Sequence, residues 1–157
     1  MINIEIPQFR LMCSDDLSRV MEVEKAAYPL PWKRSMFESS LSSSDECWAL
    51  VLQGEVWGYA ILSFILDEAH LLNLCVHPKA SKMGLGRKLL KHGIERAVIH
   101  QSKMFFLEVR VSNESAIELY FSEGFNEVGV RPNYYPAKSG KEDAVLMTLE
   151  LSVDERV

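Results

Sequence analysis

From Leu71 to Gln101 the chain passes from a β-rich run, Leu71-Leu72-Asn73-Leu74-Cys75-Val76, through the turn His77 to Met83, into Gly84-Leu85-Gly86 and a helical repeat that begins with Arg87-Lys88. This stretch constrains the fold more than any other. Strand, glycine turn and helix start make a phosphate site. Glycines let the backbone approach an anion, the unpaired N–H groups of the first helical turn point at it, and the helix dipole adds attraction. A Gly-x-Gly before a helix is also a common tight turn, so the neighbours must decide. A dinucleotide fingerprint would need a third glycine at Leu89, and a Walker loop would end in Gly-Lys-Ser/Thr; the chain has neither.

The surrounding segments alternate between helical and strand periods. Asp15-Asp16 caps a helical pattern through Leu17, Val20, Met21, Val23 and Ala27, and the Pro29-Leu30-Pro31-Trp32 break separates it from a second short helix, Ser35 to Leu41. The serine cluster Ser39 to Ser44 reads as the loop after that helix. Cys47 to Leu52, Val56 to Leu66 and Leu71 to Val76 predict an antiparallel meander. In the long helix Leu90, Ile94, Ala97 and Val98 share one side. Met104 to Val111 alternates, with Phe105, Leu107, Val109 and Val111 on one face and Phe106, Glu108 and Arg110 on the other. A helix capped by Ser112 or Asn113 and closed by Gly124, a strand from Phe125, a loop from Pro132 to Gly140 and a strand from Ala144 to Leu151 complete the pattern. The prediction is one α/β domain over residues 1–157, a mixed and mostly antiparallel central sheet flanked by helices. Its core spans about 8–151, with a polar tail at 152–157.

At 157 residues, 48% hydrophobic and 25% charged, the chain has the composition of an ordinary globular domain. Lys and Arg number 17 against 22 Asp and Glu, so the net charge of -5 offers no field for nucleic acid and suits a cationic partner. Cys13, Cys47 and Cys75 are odd in number and lack a Cys-x-x-Cys, which predicts free thiols in a reducing compartment. His70, His77, His92 and His100 have no ligand spacing, so no metal is expected. No basic stretch leads into an apolar one at MINIEIPQF, and Tyr59 to Leu66 is too short to cross a bilayer. A cytoplasmic monomer that does not bind membranes is the expectation.

Glu108 interrupts an otherwise apolar strand, LEVRV. It reads equally as a proton-transfer group or as part of a solvated Glu108 and Arg110 face. Tyr120 follows Asn113 by seven residues, on one face of a helix; a core-edge tyrosine and a helix cap explain the pair as well. Cys75 has no basic neighbour to make it a thiolate, so an acyl-carrying role is not expected. Glu142 and Asp143 read as a solvated strand start or as negative charge near a substrate.

The segment Ser81-Lys82-Met83-Gly84-Leu85-Gly86 resembles the Gln/Arg-x-x-Gly-x-Gly/Ala signature of the Gcn5-related N-acetyltransferase superfamily, with Ser81 at the position where Gln or Arg is usual. The runs LEVRVSNESAIELYFSEGF, GVRPNYYP and KEDAVLMTLEL resemble a subgroup, the bacterial ribosomal-protein-alanine N-acetyltransferases, and the likeness extends from Leu11 to Leu151. The resemblance implies the acyl-coenzyme A N-acyltransferase fold, with acetyl-coenzyme A as cosubstrate and direct transfer in a ternary complex. It implies that Leu74, Cys75 and Val76 offer backbone groups to the pantetheine, that Lys82, Met83, Gly84, Leu85, Gly86 and Arg87 hold the pyrophosphate, and that Asn113 contacts the cofactor. It further implies Glu108 as proton acceptor, Tyr120 as proton donor to the leaving thiolate, and Tyr134 and Tyr135 as the walls of a site for a peptide N-terminus. The implied acceptor is the N-terminal alanine of small-subunit ribosomal protein S18. Lysine side chains or small amines as acceptors, and a non-catalytic acyl-coenzyme A sensor, are the alternatives.

Overall fold

Alternation of strand and helix periods is realised in eleven elements along residues 6–151, the part of the chain that the structure, a computed structural model, describes. In chain order they are β1 (Gln8–Leu11), α1 (Leu17–Ala27), α2 (Arg34–Ser42), β2 (Glu46–Leu52), β3 (Glu55–Ile65), β4 (Glu68–Val76), α3 (Leu85–Ile99), β5 (Met104–Arg110), α4 (Glu114–Ser122), β6 (Asn126–Pro136) and β7 (Lys141–Glu150). Short 3-10 turns lie at Ser14–Asp16 and Pro78–Ala80. The sheet has seven strands in the order β1-β2-β3-β4-β5-β7-β6. The β1/β2, β2/β3, β5/β7 and β6/β7 pairs are antiparallel, and β4/β5 is parallel from Glu68↔Met104 to Leu71↔Leu107. This is the mixed, mostly antiparallel sheet that the sequence predicts. The predicted polar tail, 152–157, lies outside the described residues.

The chain divides into two compact units, one made of residues up to Ser63 with Leu72–Gly93, the other of Phe64–Leu71 with residues from Ile94 on. In the first unit the apolar stripe of α1 (Leu17, Val20, Val23) packs with Met12, Phe37, Cys47, Ala49, Val56, Tyr59, Ile61 and Cys75. Burying each large side chain contributes roughly 1.5–3 kcal/mol against the entropy of ordering it. Gly58 is required here by close approach. A Cβ built on it would lie 2.8 Å from the Cys75 carbonyl oxygen and 3.0 Å from Leu89 Cδ1, so β3 must present bare backbone to β4.

The second unit is centred on the predicted inward face of β5. Phe105, Leu107 and Val109 are buried with Ala144, Val145 and Met147 of β7, and Phe105 meets Phe125 edge-on at 5.5 Å. Helix α4 ends as expected at Gly124, in the left-handed region (φ +98), and the Phe125 N–H returns to the Tyr120 carbonyl at 3.0 Å.

Five expectations need correction. β1 was not foreseen, because four mostly exposed edge residues are too short a run for their alternation to stand out. Most of the serine cluster is helical, since α2 runs to Ser42 and buries Ser40. The loop predicted from Pro132 to Gly140 is mostly strand: β6 continues to Pro136 with an irregular register between Arg131 and Tyr135, the kind of edge strand that tolerates proline. β5 stops at Arg110, leaving Val111 exposed rather than on the inward face, and Val98 of α3 is exposed as well.

Candidate active site

The segment from β4 into α3 has the strand, turn and helix order that its sequence predicts. After β4, the Lys79 N–H donates to His77 Nδ1 (3.1 Å) and the Ser81 hydroxyl to the Pro78 carbonyl (2.7 Å), which closes the 3-10 turn. Burial, helped by Arg19 and Lys79, lowers His77 below its ordinary range and favours the neutral ring this contact needs. Lys82 (φ +66) and Gly84 (φ +74) take left-handed backbone, and a Cβ built on Gly84 would meet nothing within 4 Å. The chain then enters the 15-residue α3, whose first-turn N–H groups have no acceptor within the helix. Leu85 turns its side chain inward, so it can offer a ligand only backbone, while Lys82, Arg87 and Lys88 are exposed. Open backbone, a left-handed glycine and nearby cations fit a diphosphate group.

On β4, Cys75 is buried and its Sγ lies 3.9 Å from the Val23 carbonyl; burial pushes the thiol up to about 12, so it is no thiolate nucleophile. The Leu74 carbonyl accepts a hydrogen bond from the Tyr28 hydroxyl at 2.6 Å. Tyr28 is a contact that sequence reasoning missed. Glu24 was missed too, although it stands on the buried stripe, seven residues after Leu17 and four after Val20. It is 1% exposed and accepts from Tyr59 Oη (2.6 Å), Asn73 Nδ2 (2.9 Å) and the Trp32 N–H (2.8 Å).

In the second unit β5 turns Glu108 to its open face, 30% exposed, with Arg131 Nη2 at 3.6 Å from Oε1. The same carboxylate faces the Tyr134 hydroxyl, and its hydrogen-bonding pull, then burial, raise Tyr134 above the usual phenol range. Tyr135 packs edge-on against Tyr134 with centroids 4.9 Å apart, and Arg110 lies 4.5 Å over the Tyr135 ring. Burial, then the charge on Glu108, pushes Tyr135 up to about 12. Tyr120 is buried in α4, and burial, with Tyr135 as a lesser influence, holds it well above the phenol range, so it stays an O–H donor.

Asn113 caps α4, with Oδ1 accepting from the Ala116 N–H at 3.4 Å, so the cap reading of this residue is observed. Glu142 is not a loose strand start: it pairs with Arg110 (3.1 Å) and accepts from the Ser112 hydroxyl (3.0 Å). Asp143 accepts from the Asn133 N–H at 2.9 Å. The structure thus gathers Glu108, Tyr134 and Tyr135 with Arg131 and Arg110. Arg131 went unremarked in the sequence because its partner is distant along the chain, although it stands just before Pro-Asn-Tyr-Tyr-Pro.

The mixed sheet order and the turn that leads from β4 into α3 match the fold of the acyl-transferring enzymes. The chain belongs to the acetyltransferase (GNAT) family, whose model matches residues 17–125. It is 40% identical over 138 residues to the [ribosomal protein bS18]-alanine N-acetyltransferase of Escherichia coli (strain K12), covering 88% of this chain and 93% of the relative. The enzyme of the same name from Salmonella typhimurium is 37% identical over 143 residues, 91% of this chain and 97% of its own. The crystal structure of the E. coli ribosomal-protein-S18-alanine N-acetyltransferase superposes with a TM-score of 0.89 at 37% identity, covering 97% of this chain and 99% of that one.

Proposed function

We propose that this protein transfers the acetyl group of acetyl-coenzyme A to a protein N-terminal α-amine, that of the N-terminal alanine of ribosomal protein bS18, as a monomer in the cytoplasm. The observation that carries the reading is Glu108, an accessible carboxylate in mid-strand beside two tyrosines, in a chain that shares 40% identity with an enzyme named for this reaction.

In the reaction a C–N bond forms to the acceptor amine and the C–S bond of the thioester breaks. Glu108, directly or through one water, takes the proton that the amine loses. Tyr120, held as O–H by burial, gives its proton to the departing thiolate. The backbone of Leu74, Cys75 and Val76 pairs with the pantetheine arm, and an N–H there steadies the carbonyl oxygen as it gains charge. The Leu74 carbonyl keeps a second lone pair for that pairing while Tyr28 uses the first. Lys82 to Arg87 hold the diphosphate and Asn113 contacts the cofactor. Tyr134 and Tyr135 line the path of the acceptor chain. A carboxylate suffices as base because an α-amine has a reference pKa of about 7.7–8.0, against about 10.4 for lysine. No step calls for a metal.

The test is turnover of the purified protein with acetyl-coenzyme A and a peptide carrying the N-terminal sequence of bS18. Wild type acetylates the α-amine, and Glu108→Gln and Tyr120→Phe each lower kcat by roughly 100-fold or more. Full turnover in both variants sinks the mechanism. Acetylation of lysine or a polyamine but not of the α-amine moves the assignment to the other acceptors.

A further inference from the structure

Arg131 places a permanent positive charge beside the carboxylate that is to receive the acceptor's proton. Its Nη2 lies 3.6 Å from Glu108 Oε1 and its guanidinium carbon 5.5 Å from the centroid of the Tyr134 ring, while the side chain stays 56% exposed. The other charges in this unit's cluster are answered or constrained: Arg110 by Glu142 at 3.1 Å and by the Pro136 carbonyl at 2.7 Å, Asp143 by the Asn133 N–H at 2.9 Å. Tyr134 and Tyr135 are held as neutral phenols. Among the described residues, Arg131 is the cation that pairs with Glu108, so an arriving ammonium would meet it at close range.

An ammonium and a guanidinium compete for one carboxylate and repel each other, whereas a neutral amine feels little of either effect. At neutral pH an α-amine, with a reference pKa near 8, is neutral in an appreciable fraction of molecules, while lysine, near 10.4, is almost wholly cationic. We infer that Arg131 is a specificity-determining residue, a charge filter at Glu108 that admits acceptors arriving as neutral amines and turns away cationic ones such as lysine. The inference rests on the proposed N-terminal acetylation. It assigns Arg131 a positioning and screening role and no proton of its own.

The experiment compares kcat/KM at neutral pH for two short peptides of one sequence: one with a free N-terminal alanine and no lysine, the other blocked at its N-terminus with one internal lysine. Arg131→Gln should gain activity on the lysine peptide and lower the α-amine to lysine preference by about five-fold. Arg131→Lys, which keeps the charge but loses the flat guanidinium, should hold the preference within about two-fold of wild type. Raised salt should erode the wild-type preference and leave that of Arg131→Gln unchanged. A misfolded or loosened enzyme gives no such gain. If Arg131→Gln loses both activities in proportion, or shows no gain on lysine, the filter is wrong while N-terminal acetylation stands. If wild type prefers the lysine peptide, both readings fall.

Discussion

Two glutamates in this protein each face a tyrosine hydroxyl, and their surroundings give them opposite uses. Glu24, in the first unit, is 1% exposed and accepts from Tyr59, Asn73 and the Trp32 N–H. Glu108, in the second, is 30% exposed and has Tyr134 on one side and the longer, solvent-reached contact to Arg131 on the other. A buried carboxylate with both oxygens engaged and no solvent access ties elements together, because a ligand reaching it must displace those bonds and open the core. An open carboxylate with flexible partners can trade them for a substrate. Residue type is the same in both; solvent access and the number of donors separate structure from chemistry.

The comparison is broken most readily at the extreme. Glu108→Gln should lose roughly 100-fold or more in kcat with a melting temperature unchanged within about a degree, measured by steady-state turnover and thermal unfolding. Glu24→Gln should do the reverse. An amide NH2 facing one of three donors costs about 1–3 kcal/mol, a fall in Tm of roughly 3–10 °C for a chain of this size, while turnover per folded molecule stays within about two-fold. A Glu24→Gln variant that is stable but inactive would undo the contrast.

The partner tyrosines sharpen it at smaller cost. Tyr59→Phe strips Glu24 of a donor at full burial and should lose about 1–2 kcal/mol in urea unfolding. Tyr134→Phe, at an exposed site, should leave stability alone and lower kcat/KM several-fold. A third carboxylate marks the low end. Asp16 accepts two bonds of 2.8 Å from Arg10 and one of 2.9 Å from the Cys13 N–H, and Arg10 first, then the Cys13 N–H, hold it down to about 2 against a burial penalty. Its folded value is below its unfolded one near 3.8, so its contribution is present above pH 3.8 and fades as pH falls through 2. With Arg10 largely in water the gain is only ~0.5–1 kcal/mol. Asp16→Asn should remove that much at pH 6 and much less near pH 2.

Much of the fold was legible because burial writes itself as period. The alternation of Phe105, Leu107 and Val109 gave β5 and turned Glu108 to the other face, and Gly124 closed α4 where predicted. Segments that bury little leave no such pattern. β1 is mostly exposed and went unassigned, and the later part of β6 carries Pro132 and an irregular register, so it read as loop although the strand's start was foreseen. In the site, Glu108 stood out as a charge in an apolar run, but its partner Arg131 comes from another strand and pairing across strands is not written in either segment. Glu24 shows the converse. Its place on the apolar stripe of α1 could have marked it but went unread, because a lone charge there reads as solvated until the Tyr59 and Asn73 side chains that make burial tolerable are seen.

The most direct test of the account is tandem mass spectrometry of intact bS18 after incubation with acetyl-coenzyme A and either wild type, Glu24→Gln or Glu108→Gln at equal folded concentration. The account predicts a single acetyl group on the N-terminal alanine nitrogen with wild type and Glu24→Gln, and almost none with Glu108→Gln. Acetyl groups on lysines alone, or equal modification by Glu108→Gln and wild type, would contradict it.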